Sequence, residues 1–273
     1  MDNSQTVLVL GATGSTGRRV TRQLRERGVI ARAAARHGEV QFDWTRPDTW
    51  QPALVGVSTI YLMAPDGVPV ERVFVDEAVE RGVERLVLLS SMSIEEMSDD
   101  RLLAAECLVQ DSGTAWTILR ANWFNQNFDE GFFLPAILAG ELALPLGDVR
   151  QAFVDAEDIA AVAVEALTTD GHAGMTYEVT GPQALTFGDA VGAIAQASGR
   201  EVRYLGDADA YRAAQQAAGA STDQLEAEIA AYASLMDSGD AVPTDTIERV
   251  TGRPPIPFDV YAAEAARRGA WLG

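Results

Sequence analysis

Three glycines near the N-terminus have the spacing and surroundings of a phosphate-binding loop. Gly11, Gly14 and Gly17 follow the short apolar run at 6–10 and lead into a helical stretch. Glycine lets the backbone approach a pyrophosphate, and the helix start offers unpaired N–H groups at its positive dipole end. In this context the motif predicts a nicotinamide-dinucleotide site, the alternative being a tight turn that binds nothing. The loop residues expected to contact the cofactor are Gly11, Thr13, Gly14, Ser15, Thr16 and Gly17.

The end of the second predicted strand indicates which dinucleotide binds. It consists of Ala35, Arg36 and His37, with no acidic residue to hydrogen-bond an adenosine ribose 2′-hydroxyl. Arg36 can form a fork on a 2′-phosphate and Arg18 can assist it, so NADP(H) is the predicted cofactor. The alternative for Arg36 is a solvated surface arginine. Asp43 is expected to meet the adenine amino group.

The overall composition excludes several classes of function. A net charge of −19 argues against binding a nucleic-acid backbone, which requires clustered cations. All 21 basic residues are arginine, so catalysis by lysine is excluded. Two histidines and one cysteine are too few for a zinc site, and no metal is expected. A polar N-terminus and the lack of an apolar run of roughly 20 residues predict a cytoplasmic protein without a membrane partner.

Short β-type runs alternate with helical stretches through the first half of the chain. The predicted strands are 6–10, 29–35, 58–63, 85–90, 115–119 and 175–180, and the predicted helices between them are 15–27, 47–54, 70–81, 99–110 and 157–167. This alternation implies right-handed crossovers, an α/β fold and a Rossmann-type doubly wound parallel sheet. Such sheets bind their ligand at the carboxyl ends of the strands.

The pattern loosens after Arg120. Residues 122–133 are rich in aromatic side chains, a helix is predicted at 187–197, and 208–238 is predicted as two helices broken near Gly219. We therefore expect one NAD(P)-binding domain over 1–273, in which 121–150 and 181–273 form most of a smaller C-terminal substrate-binding lobe.

These features together resemble a known family. The chain is similar to the atypical short-chain dehydrogenase/reductases of the NmrA-like branch, and within it to ergot-alkaloid-type NADPH-dependent iminium reductases. The resemblance is carried by 11–18, 42–44, 61–65, 88–91, 116–120, 122–128, 153–160 and 180–182. It implies cofactor contacts from Met63, Ala64, Pro65 and Ser90. It also implies a substrate wall formed by Asn122, Trp123, Phe124, Asn127 and Phe128.

One departure from the wider family affects the predicted chemistry. Ser98 and Leu102 stand where the family's Tyr-x-x-x-Lys pair should supply the acid for ketone reduction. An iminium ion, a conjugated enone or a quinone needs less help from such an acid. Ser91 and Ser93 are the candidates for a catalytic hydrogen bond, the alternative being a cap at the strand end. Tyr61 and Tyr177 are possible acids, although Tyr61 fits the interior of the sheet better.

The sequence therefore predicts an NADPH-dependent reductase of an electrophilic small molecule, in secondary metabolism. The alternatives are a redox sensor that binds NADP(H) and a non-redox tailoring enzyme without hydride transfer. The substrate, the stereochemistry and the oligomeric state are not indicated by the sequence.

Overall fold

The computed structural model describes residues 5–272 and contains a parallel sheet at its centre. The strands are β1 (Thr6–Leu10), β2 (Ile30–Ala35), β3 (Val40–Gln41), β4 (Thr59–Leu62), β5 (Arg85–Ser91), β6 (Ala115–Ala121), β7 (Glu141–Ala143), β8 (Met175–Val179) and β9 (Arg203–Leu205). Seven of them form one sheet in the order β3-β2-β1-β4-β5-β6-β8, with every pair parallel. The order reverses between β1 and β4, which is where a doubly wound sheet binds its ligand.

Helices cover the sheet and build a lobe beyond it. They are α1 (Ser15–Glu26), α2 (Trp50–Leu54), α3 (Arg72–Glu80), α4 (Asp100–Gln110), α5 (Leu134–Ala139), α6 (Ala156–Thr168), α7 (Phe187–Ser198), α8 (Ala208–Ala217), α9 (Thr222–Asp237), α10 (Thr246–Thr251) and α11 (Phe258–Arg267). Short 3-10 turns occur at Pro47–Thr49 and Asn125–Asn127. In residues 5–272 no helix has the length and apolarity needed to cross a bilayer.

The two faces of the sheet are buried by different helices. α1, α6 and α10 pack on one face, where Val20, Leu24 and Ile159 are fully buried. α2, α3 and α4 cover the other face, with Phe74 and Val109 fully buried. Burial on both faces explains why the strands read as continuous apolar runs in the sequence. The predicted doubly wound α/β fold is confirmed.

The lobe has its own apolar core. It forms around the aromatic side chains Phe128, Phe153 and Phe187, together with residues of α5, α7, α9 and α11. β7 and β9 pair in parallel at its edge as a two-stranded sheet. In contrast, α10 packs against α6 and β8 on the sheet side, although it lies late in the chain.

The predicted elements agree with the structure to within about two residues at most boundaries. The break near Gly219 is confirmed, because α8 and α9 lie on either side of it. The sequence did not indicate β7, β9, α5, α10 or α11. β7 and β9 have three residues each and pair across about 60 positions, which leaves no local periodicity to detect.

Candidate functional site

The glycine-rich loop forms the turn between β1 and α1, at the switch point of the sheet. Gly11 has φ +64°, and a Cβ on it would lie 2.3 Å from the Met63 sulfur. A Cβ on Gly17 would lie 2.2 Å from the Gly11 carbonyl oxygen, so only glycine allows α1 to pack this close. The Gly14 N–H donates to the Gly11 carbonyl at 2.8 Å and closes the turn.

The start of α1 fits the phosphates of a dinucleotide. Gly14 is the N-cap of α1. As a glycine it has no side chain to accept a hydrogen bond from the first N–H groups of the helix. Gly14, Ser15 and Thr16 line a large cavity. A Cβ on Gly14 would meet just the Gly11 carbonyl oxygen, at 3.2 Å, so the space before it is open. Open space beside uncapped helix N–H groups is a ready anion site.

A buried tyrosine supports the loop from inside the sheet. The Tyr61 hydroxyl on β4 donates to the Thr16 hydroxyl at 3.0 Å. Burial raises the pKa of Tyr61, because the phenolate would lose its solvation, and the bond to Thr16 offsets this in part. The sequence left two roles open for Tyr61, an acid or a residue inside the sheet. The structure shows the second: Tyr61 is a core residue, and its hydroxyl positions Thr16.

A cavity of about 660 Å³, called the main cavity below, lies at the carboxyl ends of β1, β4, β5 and β6. It brings together most of the predicted site residues: Gly14, Ser15, Thr16, Met63, Ala64, Pro65, Ser90, Ser91, Ser93, Asn122, Trp123, Phe124 and Asn127. The sequence analysis missed other lining residues: Asp66, Met92, Ile94, Met97, Asp99, Arg101, Phe132, Gln151 and Leu235. Neighbours of predicted residues, such as Asp66 and Met92, could have been inferred from their place after a strand. Leu235 on α9 could not.

Strong proton donors are scarce in the main cavity. Its described lining residues include no tyrosine, histidine, cysteine or lysine. Leu102 does line it, at the position of the family's lysine. Tyr177, the second candidate acid, is buried on β8, and its hydroxyl bonds with His172 at 2.9 Å. Neither candidate tyrosine is therefore among the residues that line the cavity, although the Tyr61 hydroxyl contacts Thr16 behind its wall.

Ser90 is held by a buried ion pair at the end of β5. Its hydroxyl donates to Glu106 Oε1 at 2.6 Å, and both residues are buried. Arg120 donates to the same carboxylate through Nε at 2.9 Å and Nη2 at 2.6 Å, and to Glu95 at 3.1 Å. Hydrogen bonding to Glu106 is the main reason why the pKa of Arg120 is raised. The sequence did not indicate this network, because its members lie far apart in the chain.

The two predicted catalytic serines line the main cavity. The Ser91 hydroxyl donates to the carbonyl of Met92 at 3.1 Å. Ser93 has φ 56° and Ser98 has φ 52°, so the loop between β5 and α4 contains two strained residues beside the cavity. A catalytic role for Ser91 or Ser93 stays a prediction.

The aromatic stretch divides between the cavity wall and the core. Trp123 lines the main cavity and stacks on Phe133, with ring centroids 5.9 Å apart. Phe128 does not line the cavity, and its prediction as a substrate residue needs correction. It is fully buried between Phe153 and Phe258, and its carbonyl accepts from Trp271 at 2.9 Å. The 3-10 turn at Asn125–Asn127 lies between Phe124, which lines the main cavity, and Phe128, which does not.

A second cavity, of about 720 Å³, lies between α1 and the turn after β2. Thr13 and Arg18, two of the predicted cofactor residues, line it together with Arg22 and Arg25. Arg25 forms an ion pair with Glu39 at 2.6 Å. The cavity therefore extends from the glycine loop to a group of arginines that pair with carboxylates, two of which, Glu26 and Glu39, also line it.

Arg36 and Asp43 are outside the walls of both cavities. Arg36 is exposed. The Asp43 carboxylate accepts from Thr45, from N at 2.9 Å and from Oγ1 at 2.8 Å. These hydrogen bonds lower the pKa of Asp43, and the charge of Arg36 adds to the effect. The structure does not bring either residue into a cavity wall, and their cofactor roles stay predictions.

Glu130 connects the lobe to the start of α1. It accepts from Ser15 Oγ at 3.2 Å and from Arg19 at 2.9 Å, and it also pairs with Arg18. Burial raises the pKa of Glu130, but the hydrogen bonds from Arg19 and Arg18 outweigh it, so the pKa is lowered. This acid was not singled out in the sequence.

Known proteins match both the fold and the loop. A family model described as NAD(P)H-binding matches residues 11–170. The chain is 34% identical over 288 residues to the NAD(P)H azoreductase of Xenophilus azovorans, covering 97% of this chain and 99% of that protein. It is 27% identical over 278 residues to festuclavine synthase I of Penicillium roqueforti, covering 94% and 97% of the two chains.

A solved structure extends the fold comparison. The NADPH-dependent quinone oxidoreductase of Escherichia coli, complexed with NADPH, matches with a TM-score of 0.72 at 20% identity, over 97% of this chain and 99% of that one. The predicted family resemblance is confirmed by the family model and the relatives. The chain therefore belongs to the NAD(P)H-binding, NmrA-like branch of the atypical short-chain dehydrogenase/reductases, and it is an NAD(P)H-dependent reductase of small molecules.

Proposed function

We propose that the protein is an NADPH-dependent reductase of electrophilic acceptors that need no acid from the protein, such as an iminium ion, a conjugated enone or a quinone. One observation carries the proposal: the described wall of the main cavity has no tyrosine, histidine, cysteine or lysine. A ketone forms an alkoxide on reduction and needs a proton donor in place; the ionisable side chains of this wall are Asp66, Asp99 and Arg101, and Asp99 accepts a hydrogen bond from Arg101. An iminium ion is neutralised by hydride, and the enolate or quinol anion is stabilised by its own conjugation.

The chain contributes binding and orientation. When bound, NADPH supplies hydride from its nicotinamide ring. Met63, Ala64 and Pro65 would support the ribose and nicotinamide side, while Trp123 and Phe124 hold a planar acceptor opposite. Holding the two reactants in the correct relative orientation converts a bimolecular step into a nearly unimolecular one. An apolar wall also excludes water from the reacting atoms.

The second cavity supports the preference for NADPH. Its arginines, Arg18, Arg22 and Arg25, pair with Glu130, Glu26 and Glu39, and a 2′-phosphate beyond the glycine loop would compete with these carboxylates for the guanidinium groups. Arg36, which is exposed at the end of β2, can add its positive charge to these guanidinium groups. Among the relatives, the NAD(P)H azoreductase is named for reduction of an azo group, which supports a conjugated, nitrogen-containing acceptor for this chain. The division into sheet and lobe units, the cytoplasmic location and a role in secondary metabolism stay predictions.

The test is transfer of isotope label. The protein is mixed with NADPH carrying deuterium on either face of nicotinamide C4, and with iminium, enone, quinone and simple ketone acceptors. Deuterium is expected at carbon in the products from the iminium ion and the enone, and not in the alcohol. For the quinone the expected result is acceptor-dependent oxidation of NADPH, because deuterium delivered to a quinone oxygen exchanges with water. Tight NADPH binding without label in any product would contradict the proposal and favour the sensor. Arg18→Ala and Arg36→Ala are expected to weaken NADPH binding about tenfold and NADH binding little, since NADH lacks the phosphate.

A further inference from the structure

We propose that Gln151 orients the acceptor and helps to select it, by a hydrogen bond from its side-chain amide to a polar atom of the acceptor such as a carbonyl oxygen. The inference rests on the proposed function in one respect, that the main cavity holds the acceptor. Three observations carry it: the burial of Gln151, the lack of a partner for its amide within residues 5–272, and the fixed backbone that presents the side chain.

Gln151 is a deeply buried polar residue in the wall of the main cavity. It lies in the segment between β7 and α6, and 2% of it is exposed. In the described part of the chain no group forms a hydrogen bond with its side-chain amide, since the side-chain bonds of this segment involve Arg150 on one side and Asp155 on the other. A buried amide without a partner is rare in folded proteins, because nothing compensates the loss of its hydration. The amide is therefore available to a ligand.

The Gln151 amide faces the cavity rather than the core. The fully enclosed side-chain atoms that lack a hydrogen-bond partner, among the residues that the structure describes, belong to Asn125 and Arg200. The amide atoms of Gln151 are not among them, so the small accessible surface of this residue includes its amide. Because Gln151 lines the main cavity, a molecule bound there can reach this amide.

Hydrogen bonds of the backbone hold Gln151 in place. Its N–H donates to the Leu185 carbonyl at 2.7 Å, and the Leu185 N–H donates to the Gln151 carbonyl at 2.9 Å. On the preceding residue, the Arg150 N–H donates to the Asp240 carboxylate at 2.8 Å, and the Arg150 carbonyl accepts from the Ala241 N–H at 2.9 Å. A buried side chain on a backbone fixed in this way can orient a ligand with little further loss of entropy.

The other two amides among the described lining residues differ from Gln151. Asn122 Oδ1 accepts from the Trp123 N–H at 2.8 Å, and Asn122 Nδ2 contacts the Met92 sulfur, a weak acceptor, at 3.7 Å. Asn127 is half-buried, so water can solvate its amide. Gln151 combines burial with an unused donor and an unused acceptor. It therefore discriminates most strongly between acceptors, since an acceptor without a matching polar atom leaves the buried amide unpaired.

The first test measures the stability of Gln151→Met, which keeps the length of the side chain and removes the amide. The variant should be as stable as the wild type or more stable, because an unpaired buried amide is replaced by an apolar group. A lower free energy of unfolding in urea would show that the amide has a structural partner in the protein, and this would overturn the inference.

The second test compares two probes of similar shape, 1-indanone and the hydrocarbon indane, by equilibrium dialysis with NADP⁺ saturating. Gln151→Met should bind the ketone about tenfold more weakly than the wild type does, and should bind indane at least as tightly. The infrared carbonyl stretch of bound 1-indanone should lie at lower frequency in the wild type than in the variant, because a hydrogen bond weakens the C=O bond. Gln110→Met, at the exposed end of α4 and outside the cavity wall, is the control and should change neither the affinities nor the frequency.

Three outcomes of the second test would overturn the inference. They are an unchanged ketone affinity in Gln151→Met, an unchanged carbonyl frequency in that variant, and failure of the wild type to bind 1-indanone. Failure of label transfer would overturn the proposed function instead, since these equilibrium measurements need no turnover.

Discussion

The two sides of the main cavity are built by different parts of the polypeptide. On the side proposed for the cofactor, backbone packing fixes the loop that forms the wall: Gly11 and Gly17 leave no room for a Cβ, and the Tyr61 hydroxyl holds Thr16, which lines the cavity. On the side proposed for the substrate, the surface consists of side chains from segments far apart in the chain, such as Trp123 and Leu235.

The backbone surface would therefore determine which cofactor binds, and the side-chain surface would determine which substrate binds. A backbone surface tolerates few residue types, because a single methyl group at Gly17 would meet a carbonyl oxygen at 2.2 Å. A side-chain surface can change residue by residue without altering the fold. A family of this kind can therefore keep one cofactor while its substrates diverge.

The largest expected effect tests the backbone side. Gly17→Ala should lower the free energy of unfolding by about 3–5 kcal/mol and remove cofactor binding, because α1 must move away from Gly11. Chemical denaturation measures the first effect and calorimetry with NADPH the second. Gly192→Ala in α7 is the control: a Cβ there has no neighbour within 4 Å, so a gain of up to about 1 kcal/mol is expected. If Gly17→Ala were as stable as the wild type, the comparison between the backbone side and the side-chain side would fail.

The next effect concerns the ion pair beneath the substrate side. Arg120→Met leaves Glu106, which is 5% exposed, without its cation, and should cost about 3 kcal/mol of stability. Arg203→Met removes an exposed pair with Glu141 and should cost less than about 1 kcal/mol. Urea unfolding of both variants measures the contrast. If both variants lost a similar free energy of unfolding, burial of Glu106 would make no difference to the strength of its ion pair.

A smaller effect is expected from the support of the loop. Tyr61→Phe removes the hydrogen bond to Thr16 and should weaken NADPH and NADH alike, by about fivefold, or about 1 kcal/mol. Both cofactors contain the pyrophosphate that this part of the loop would hold. Tyr204→Phe, which removes a bond to the Leu144 carbonyl in the lobe, should leave both affinities unchanged. Weakening of NADPH alone would place Thr16 near the 2′-phosphate instead.

The smallest expected effect concerns the stabilisation by Glu130, which connects the lobe to the start of α1, and this effect depends on pH. The folded-state pKa of Glu130 lies below its ordinary value of 4.5, so the unfolded chain takes up this proton first as the pH falls. The stabilisation is therefore complete above about pH 4.5 and is lost as the pH falls through the folded-state pKa. Glu130→Gln should be less stable than the wild type at pH 7 by about 1 kcal/mol, and the difference should vanish in acid. A constant difference across this range would argue against the ion pair.

The cofactor side could be predicted from the sequence because its determinants are local. The glycine spacing, the apolar run before it and the helix after it all lie within residues 6–27. The doubly wound parallel sheet followed from the alternation of strands and helices, since right-handed crossovers between parallel strands permit few arrangements. Ser90 and Trp123 were assigned to the site by the family resemblance, and both line the main cavity.

The rest was decided by tertiary structure. Phe124 and Phe128 belong to one aromatic stretch, yet a single 3-10 turn puts the first in the cavity wall and the second in the lobe core. Glu106 and Arg120 are ordinary residues of a helix and a strand until packing brings them to 2.6 Å and removes the water that would screen them. The local pattern of the sequence thus determined the fold and the cofactor loop. Which side chains face the acceptor, and with what charge, depended on contacts between distant segments that no local pattern records.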